Sequence, residues 1–185
     1  MTTEAGMPEF SRQHAPDRLP PDGFIGTVEA TEAERAALAE RFGLPSIESL
    51  TAEYHLKLVA GGPLVRLTAS FAADVTQTCV VTLDPFAARV EDSFEMLYGP
   101  AADEYRPGQE IHLDVEASDP PEPFDAAGMV DVGEAVAEHL ALALDPFPRK
   151  PGAAVTAPKG VELDGPDTLP NTPFSALAAL QKKSH

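Results

Sequence analysis

The spacing of apolar and polar residues divides the chain into helix-like and strand-like segments. From Asp131 to Leu144, valines and leucines recur every four residues, which predicts an α-helix with one apolar stripe. Asp131 is placed to cap this helix, and Glu134 stands three residues later, as a capping box requires. Asp145 and Pro146 end it, because the residue before a proline avoids helical backbone angles.

A second helix is predicted earlier in the chain. Thr31 and Glu34 form another capping-box pair, and Gly43 is placed to close the helix in a left-handed conformation. Leu38 and Phe42 lie four residues apart, so both are expected to face the core.

Between these helices the apolar residues alternate with a period of two, which is typical of half-buried strands. Gly61 and Gly62 separate two such runs, as in a β-hairpin. The fold expected is α+β, with an antiparallel sheet or partly closed barrel of five to six strands and two to three helices packed on it. The expected strands are residues 24–28, 50–60, 64–71, 75–83, 89–98 and 110–116.

Proline and glycine content sets the expected domain boundaries. Residues 1–21 are predicted to be a flexible N-terminal segment, residues 22–148 the core domain, and residues 149–172 a linker rich in proline and glycine. Residues 173–185 are predicted to form a short apolar helix, which either folds back on the core or docks elsewhere.

The net charge of −17 is concentrated in one part of the chain. Between Glu91 and Asp145, fifteen Asp and Glu residues stand against one basic residue, Arg106. Such a run is either a solvated surface or a face that receives a basic partner. Direct binding to a nucleic-acid backbone is disfavoured, because that affinity comes from Lys and Arg side chains that neutralise phosphates.

The sequence offers little for catalysis, and we expect no cofactor, no metal site and no catalytic residues. Its five histidines are not spaced for joint metal coordination. The lone Cys79 falls in a predicted strand without a nearby base, as expected of a small packing residue. Glu91 and Glu95 share one face of a predicted strand, so a hydrolase with paired carboxylates is a minor alternative.

The chain begins without a basic start or an apolar run, and it has no apolar stretch of membrane-spanning length. With a single cysteine, these features favour a cytoplasmic location without membrane contact.

The segment after the second helix, PFPRKPG, is aromatic, stiff and basic on an otherwise acidic chain. One proline would suffice to stop a helix. Phe147, Arg149 and Lys150 therefore form either a docking element or, for Phe147, a lid that packs back on the end of the sheet.

Three segments together resemble the YceD family, the large ribosomal RNA subunit accumulation proteins, in the form found in alphaproteobacterial members. They are VTQTCVVTLDPF from Val75 with the strand VEDSFEMLYG after it, DVGEAVAEHLALALDPFPRKPGA from Asp131, and PFSALAALQK from Pro173. The motif residues on which the resemblance depends are Cys79, Thr82, Asp84, Pro85, Asp145, Pro146 and Pro148. Many members have a second cysteine soon after the first. Here Val81 and Thr82 follow, so a family metal site does not carry over.

The resemblance implies a non-enzymatic factor that supports accumulation of 23S ribosomal RNA and assembly of the large ribosomal subunit. From the charge we expect it to bind a basic ribosomal protein, an assembly factor or a pre-large-subunit particle, with rRNA contact weak at most and confined to Arg149 and Lys150. Glu91, Glu95 and Asp131 are the expected acidic contacts. The alternative is a general protein-interaction or chaperone-like module without a ribosomal role.

Overall fold

The computed structural model describes residues 8–59, 63–100 and 121–154. The chain divides into two compact units, Met1–Pro151 and Gly152–His185. In chain order the first unit contains β1 (Gln13–His14), a single 3-10 turn (Pro16–Arg18), β2 (Phe24–Glu29), α1 (Glu32–Phe42), β3 (Ser46–Val59), β4 (Leu64–Thr78), β5 (Pro85–Gly99), β6 (Glu122–Pro123), β7 (Val130–Asp131) and α2 (Val132–Ala143).

Two sheets make up the α+β fold of the described residues. The larger has the strand order β2-β3-β4-β5-β6, and the smaller pairs β1 with β7. Neighbours from β2 to β5 are antiparallel, but β6 runs parallel to β5, so the larger sheet is mixed rather than purely antiparallel. It is not a closed barrel, because β2 and β6 end it on either side.

Both described helices begin and end near the residues expected from the sequence. Thr31 and Glu34 form the full capping box of α1, and Gly43 closes it with φ 66°. Asp131 caps α2 by accepting hydrogen bonds from the amides of Gly133 and Glu134. The predicted third helix, residues 173–185, and the predicted strand 110–116 lie outside the described residues.

One long strand replaces two shorter ones expected from the sequence. β4 is continuous from Leu64 to Thr78, and Leu67, Ala69, Phe71, Ala73 and Val75 are all buried on one face. The separate strands 64–71 and 75–83 were wrong because this alternation continues through the weak strand formers Ala72, Ala73 and Asp74. β4 then stops at Thr78, so the residues from Cys79 to Asp84 form a turn.

Part of the segment expected to be flexible, residues 1–21, contributes to the core instead. Phe10 has no exposed area, and β1 pairs with β7 just before α2 begins. Phe10 packs with the buried side chains of both helices and of β2–β5 in one cluster. A single aromatic in a polar, proline-rich segment left this burial without a periodic signal.

The buried stripe of α2 packs on the sheet as predicted. Val132, Val136 and Leu140 have no exposed area. At the edge of the stripe, the His139 ring stacks on Phe94 with ring centroids 3.7 Å apart. The opposite face of the sheet carries exposed alternate residues, among them Thr68, Ser70, Glu91, Ser93 and Glu95.

Candidate functional site

The two motif segments distant in sequence lie side by side at one end of the sheet. The Val80 amide in the β4–β5 turn donates a hydrogen bond to the Pro148 carbonyl oxygen at 2.9 Å. The Gln77 side-chain amide donates to the Asp145 carbonyl oxygen at 3.3 Å. The chain after α2 is therefore fixed along the turn by backbone groups that any extended segment offers.

The turn itself has a compact, strained backbone. The Cys79 amide donates to the Asp84 carbonyl, and the Leu83 amide donates to the Cys79 carbonyl, both at 2.9 Å. Leu83 has φ 61°, and it is the only non-glycine residue with positive φ in the described part of the chain. This conformation costs on the order of 1 kcal/mol for a residue with a Cβ, so the surrounding bonds hold it in place.

Cys79 is buried, as expected, but it lies in this turn and not in a strand. Hydrogen bonding from the Thr82 side chain and the Lys150 backbone lowers the pKa of its thiol to about 7, against the opposing effect of burial. With no exposed area, the thiol has no path for a nucleophilic attack on a substrate.

The aromatic and aliphatic side chains of the two segments point outwards. Leu83 is 75% exposed, Phe147 71% and Val80 45%. Phe147 therefore does not pack back as a lid. Asp145 orients it, because the Asp145 carboxylate accepts the Phe147 amide at 2.9 Å. We call the exposed side chains of Val80, Leu83, Phe147, Arg149 and Lys150 the turn surface.

The two cations of the turn surface differ in their surroundings. Lys150 lies 3.5 Å from the Asp84 carboxylate, which joins the two segments again. Arg149 has no ion pair with any residue that the structure describes. It lines a cleft of about 340 Å³ between the start of β5 and the end of α2. The other residues lining this cleft include Gln77, Phe86, Ala88, Val90, Ala143 and Pro148.

The expected acidic contacts on β5 are exposed and already paired with arginine. Glu91 accepts a hydrogen bond from Arg89 at 2.6 Å, and Glu95 lies 3.3 Å from Arg66. Both carboxylates are solvated, so nothing in their surroundings divides them into an acid and a base. Among residues 8–59, 63–100 and 121–154, no group of His, Cys, Asp and Glu is placed to hold a metal ion.

Asp131, the third expected acidic contact, serves the fold. Besides capping α2, its carboxylate accepts hydrogen bonds from the Ser11 hydroxyl and, at 2.8 Å, from the Arg12 amide. Glu134 does not complete a capping box there, because its carboxylate pairs with Arg41 at 2.7 Å. These two carboxylates fasten α2 to the N-terminal segment and to α1.

Several other carboxylates of the acidic run have no ion pair within the described residues, among them Asp92, Glu122 and Glu138. Burial and the nearby Glu138 and Glu122 charges raise the pKa of Tyr98, in that order of importance. Glu122 and Glu138 line a small cleft between β6 and α2. The acidic residues at positions 103–119 lie outside the described residues.

Leu83 and Val80 are the members of the turn surface that sequence reasoning missed. Both were assigned to a strand that does not extend so far. A usable signal was the sequence Thr82-Leu83-Asp84-Pro85, in which turn-forming residues surround a large aliphatic one.

No helix in the described part of the chain is long and apolar enough to cross a membrane.

Comparison with known proteins gave one family match. The family model described as large ribosomal RNA subunit accumulation protein YceD matches residues 67–181, which is more than half of the chain. The match includes both segments of the turn surface. No curated protein and no solved structure matched the chain significantly.

Proposed function

This chain belongs to the YceD family, and from that premise we propose that it supports large ribosomal RNA accumulation and large-subunit assembly by binding a protein partner, not by catalysis. The observation that carries this proposal is the turn surface. There the Val80–Pro148 hydrogen bond and the Lys150–Asp84 ion pair hold three large apolar side chains in water.

Exposed apolar side chains on a rigid backbone are the usual anchors of a protein interface. Leu83 stays exposed in spite of its strained backbone, and Phe147 stays exposed although its segment is bonded to the β4–β5 turn. Burial of such a side chain by a partner contributes roughly 1.5–3 kcal/mol, enough to dominate a small interface. Fold stability alone gives no reason to keep these side chains in water.

The charge favours a basic protein over RNA as the partner. Affinity for RNA grows with the number of phosphates that Lys and Arg neutralise. Of the two cations of the turn surface, Lys150 is paired with Asp84, and only Arg149 has no ion pair with a described residue. A net charge of −17 instead attracts a basic ribosomal protein, a basic assembly factor or a pre-large-subunit particle. Asp92, Glu122 and Glu138 are the acidic contacts we propose, together with Glu91 and Glu95 at the rim. The proposed setting is the cytoplasm.

The test compares Phe147→Ser with Leu142→Ser in cells that lack the natural copy. Leu142 is 74% exposed but lies on α2, outside the turn surface. Both substitutions remove one exposed apolar side chain, so both proteins should fold equally well. We expect Phe147→Ser to lower 23S rRNA and large-subunit levels, measured by gradient sedimentation, while Leu142→Ser leaves them normal. Equal levels with both variants would contradict the role of the turn surface.

A tagged purification at low salt identifies the class of partner. We expect large-subunit proteins whose recovery falls as salt is added, since charge attraction is screened. Arg149→Glu should reduce crosslinking to rRNA, since weak rRNA contact is expected only at Arg149 and Lys150; unchanged crosslinking would remove this contact. Recovery of a single non-ribosomal protein with either salt concentration would favour the general interaction or chaperone-like module instead.

A further inference from the structure

Among the described residues, the outer edge of β2 has backbone groups without hydrogen-bond partners. In an antiparallel pair, alternate residues exchange both hydrogen bonds with the neighbouring strand, and the residues between them point away. The Ala30 amide donates a hydrogen bond to the Leu50 carbonyl oxygen, so Ala30 is one of the residues that bond to β3. In the same register the residues that bond to β3 are every second one before it, including Gly26 opposite Tyr54. The N–H and C=O groups of Ile25 and Thr27 therefore point away from β3.

No described residue bonds to these four groups. At the end of the strand, the Glu29 carbonyl accepts a hydrogen bond from the Arg12 side chain at 3.2 Å, so the vacant stretch stops there. Natural sheets usually protect such an edge with lysine, proline or a bulge. β2 has none of these, and its Ile25 side chain is 77% exposed. We call the backbone from Phe24 to Val28 the open edge.

Two carboxylates stand beside the open edge on the helix-free face of the sheet. Glu29 shares that face with Ile25 and Thr27 by alternation, and Glu53 lies directly opposite Thr27 on β3. Both are exposed, and neither forms an ion pair with a described residue. A trough of about 640 Å³ beside Thr27 continues across this face, where Ser70 and Ala72 leave room for long side chains.

We propose that the open edge binds an extended peptide segment with Lys or Arg at alternate positions, as an added strand of the sheet. The peptide backbone would bond to Ile25 and Thr27, and its basic side chains would lie over Glu29 and Glu53. A second copy of this chain is disfavoured because each copy carries a charge of −17. The inference rests on the proposed function in one respect, the basic protein partner.

Thr27→Pro tests the proposal with little disturbance of the fold, because the proline removes an N–H that points away from β3. Thr27→Val is the matched control, since it keeps the N–H and changes only the side chain. The probe is a fluorescent peptide of about ten residues that alternates lysine and threonine. We expect Thr27→Pro to weaken its binding about tenfold relative to Thr27→Val. Amide exchange at Ile25 and Thr27 should slow when the peptide binds.

A second variant keeps the backbone intact in case proline unfolds the strand. Glu29→Gln combined with Glu53→Gln should weaken binding severalfold and reduce its salt dependence. Equal binding by wild type and Thr27→Pro, unchanged exchange at Ile25 and Thr27, or exchange already slow in the free protein would each overturn the proposal. Dimerisation through β2, detected by sedimentation, would overturn it in favour of a second copy.

The same cells separate this proposal from the proposed function. If Phe147→Ser lowers 23S rRNA while the peptide binds Thr27→Pro and wild type equally, the open edge is wrong and the family role remains. If the peptide needs the Thr27 N–H while 23S rRNA stays normal in cells without the protein, the open edge is right and the proposed function is wrong.

Discussion

The Val80 amide and the Pro148 carbonyl oxygen lie 2.9 Å apart and join two motif segments that are far apart in sequence. This bond fixes the chain after α2 against the β4–β5 turn. The residues on either side of it, Leu83 and Phe147, consequently present their side chains to solvent from a rigid support. The turn surface is thus a product of tertiary structure that neither segment forms alone.

Leu83→Gly should separate stability from binding. Glycine adopts φ 61° without the steric penalty of leucine, and the leucine side chain is 75% exposed, so little packing is lost. We expect the free energy of unfolding, measured in urea, to stay the same or rise by about 1 kcal/mol. Partner recovery and 23S rRNA should nevertheless fall. A destabilised variant would show that Leu83 packs against the fold and would contradict its place in the turn surface.

The Cys79 thiol should titrate near neutral pH. Its hydrogen bonds from Thr82 and Lys150 lower its pKa from 9.0 to about 7. Because the thiolate is favoured in the folded state, stability should increase as pH rises from about 7 to 9. The ultraviolet absorbance of the thiolate measures the titration directly.

Thr82→Val is the matched variant for this titration. It removes the hydroxyl donor and keeps the size of the side chain, so the Cys79 pKa should move back towards 9. An unchanged midpoint in Thr82→Val would mean that the hydroxyl does not bond to the sulfur. A wild-type midpoint near 9 would mean that neither Thr82 nor Lys150 donates a hydrogen bond to the sulfur.

Sequence patterns predicted the helices well and the turn surface only in part. Capping by Thr31 and Asp131 and closure by Gly43 depend on a few neighbouring residues, so local chemistry predicts them. The end of β4 at Thr78 depends instead on bonds from the turn to Pro148, far along the chain. Phe147, Arg149 and Lys150 were recognisable as unusual from their own segment, whereas Leu83 was assigned to a strand because the end of β4 was placed too late.

The role of Asp131 shows the same limit. Its position before an apolar stripe predicted the cap of α2. The hydrogen bonds from Ser11 and Arg12 come from the N-terminal segment, whose polar composition favoured flexibility. Composition counts the polar groups but does not show that they bond to one carboxylate.

Gly133→Ala should destabilise the protein although alanine favours helices. A Cβ at Gly133 would collide with the Phe10 carbonyl oxygen, which is backbone and cannot rotate away. We expect a loss of about 1–3 kcal/mol in the free energy of unfolding. Ala141→Gly, at an exposed position of the same helix, should cost about 1 kcal/mol and calibrates the ordinary propensity. Stabilisation by Gly133→Ala would mean that Phe10 does not lie against α2.

The ion pair between Arg12 and Glu34 should give a pH-dependent part of the stability. Arg12 donates to both Glu34 carboxylate oxygens, at 2.7 and 3.0 Å, and lowers the Glu34 pKa to about 2. Since that pKa lies below its ordinary value of 4.5, the stabilisation is complete above pH 4.5 and is lost as pH falls towards 2.

We expect Arg12→Gln to lower the free energy of unfolding by about 1–2 kcal/mol at pH 7, after allowance for solvent screening, and the difference from wild type to shrink below pH 4.5. Arg66→Gln, which removes the more exposed pair with Glu95, should cost less than about 0.5 kcal/mol. Urea unfolding across this pH range measures both variants, and an Arg12→Gln difference as large near pH 2 as at pH 7 would show that the Glu34 charge is not its source.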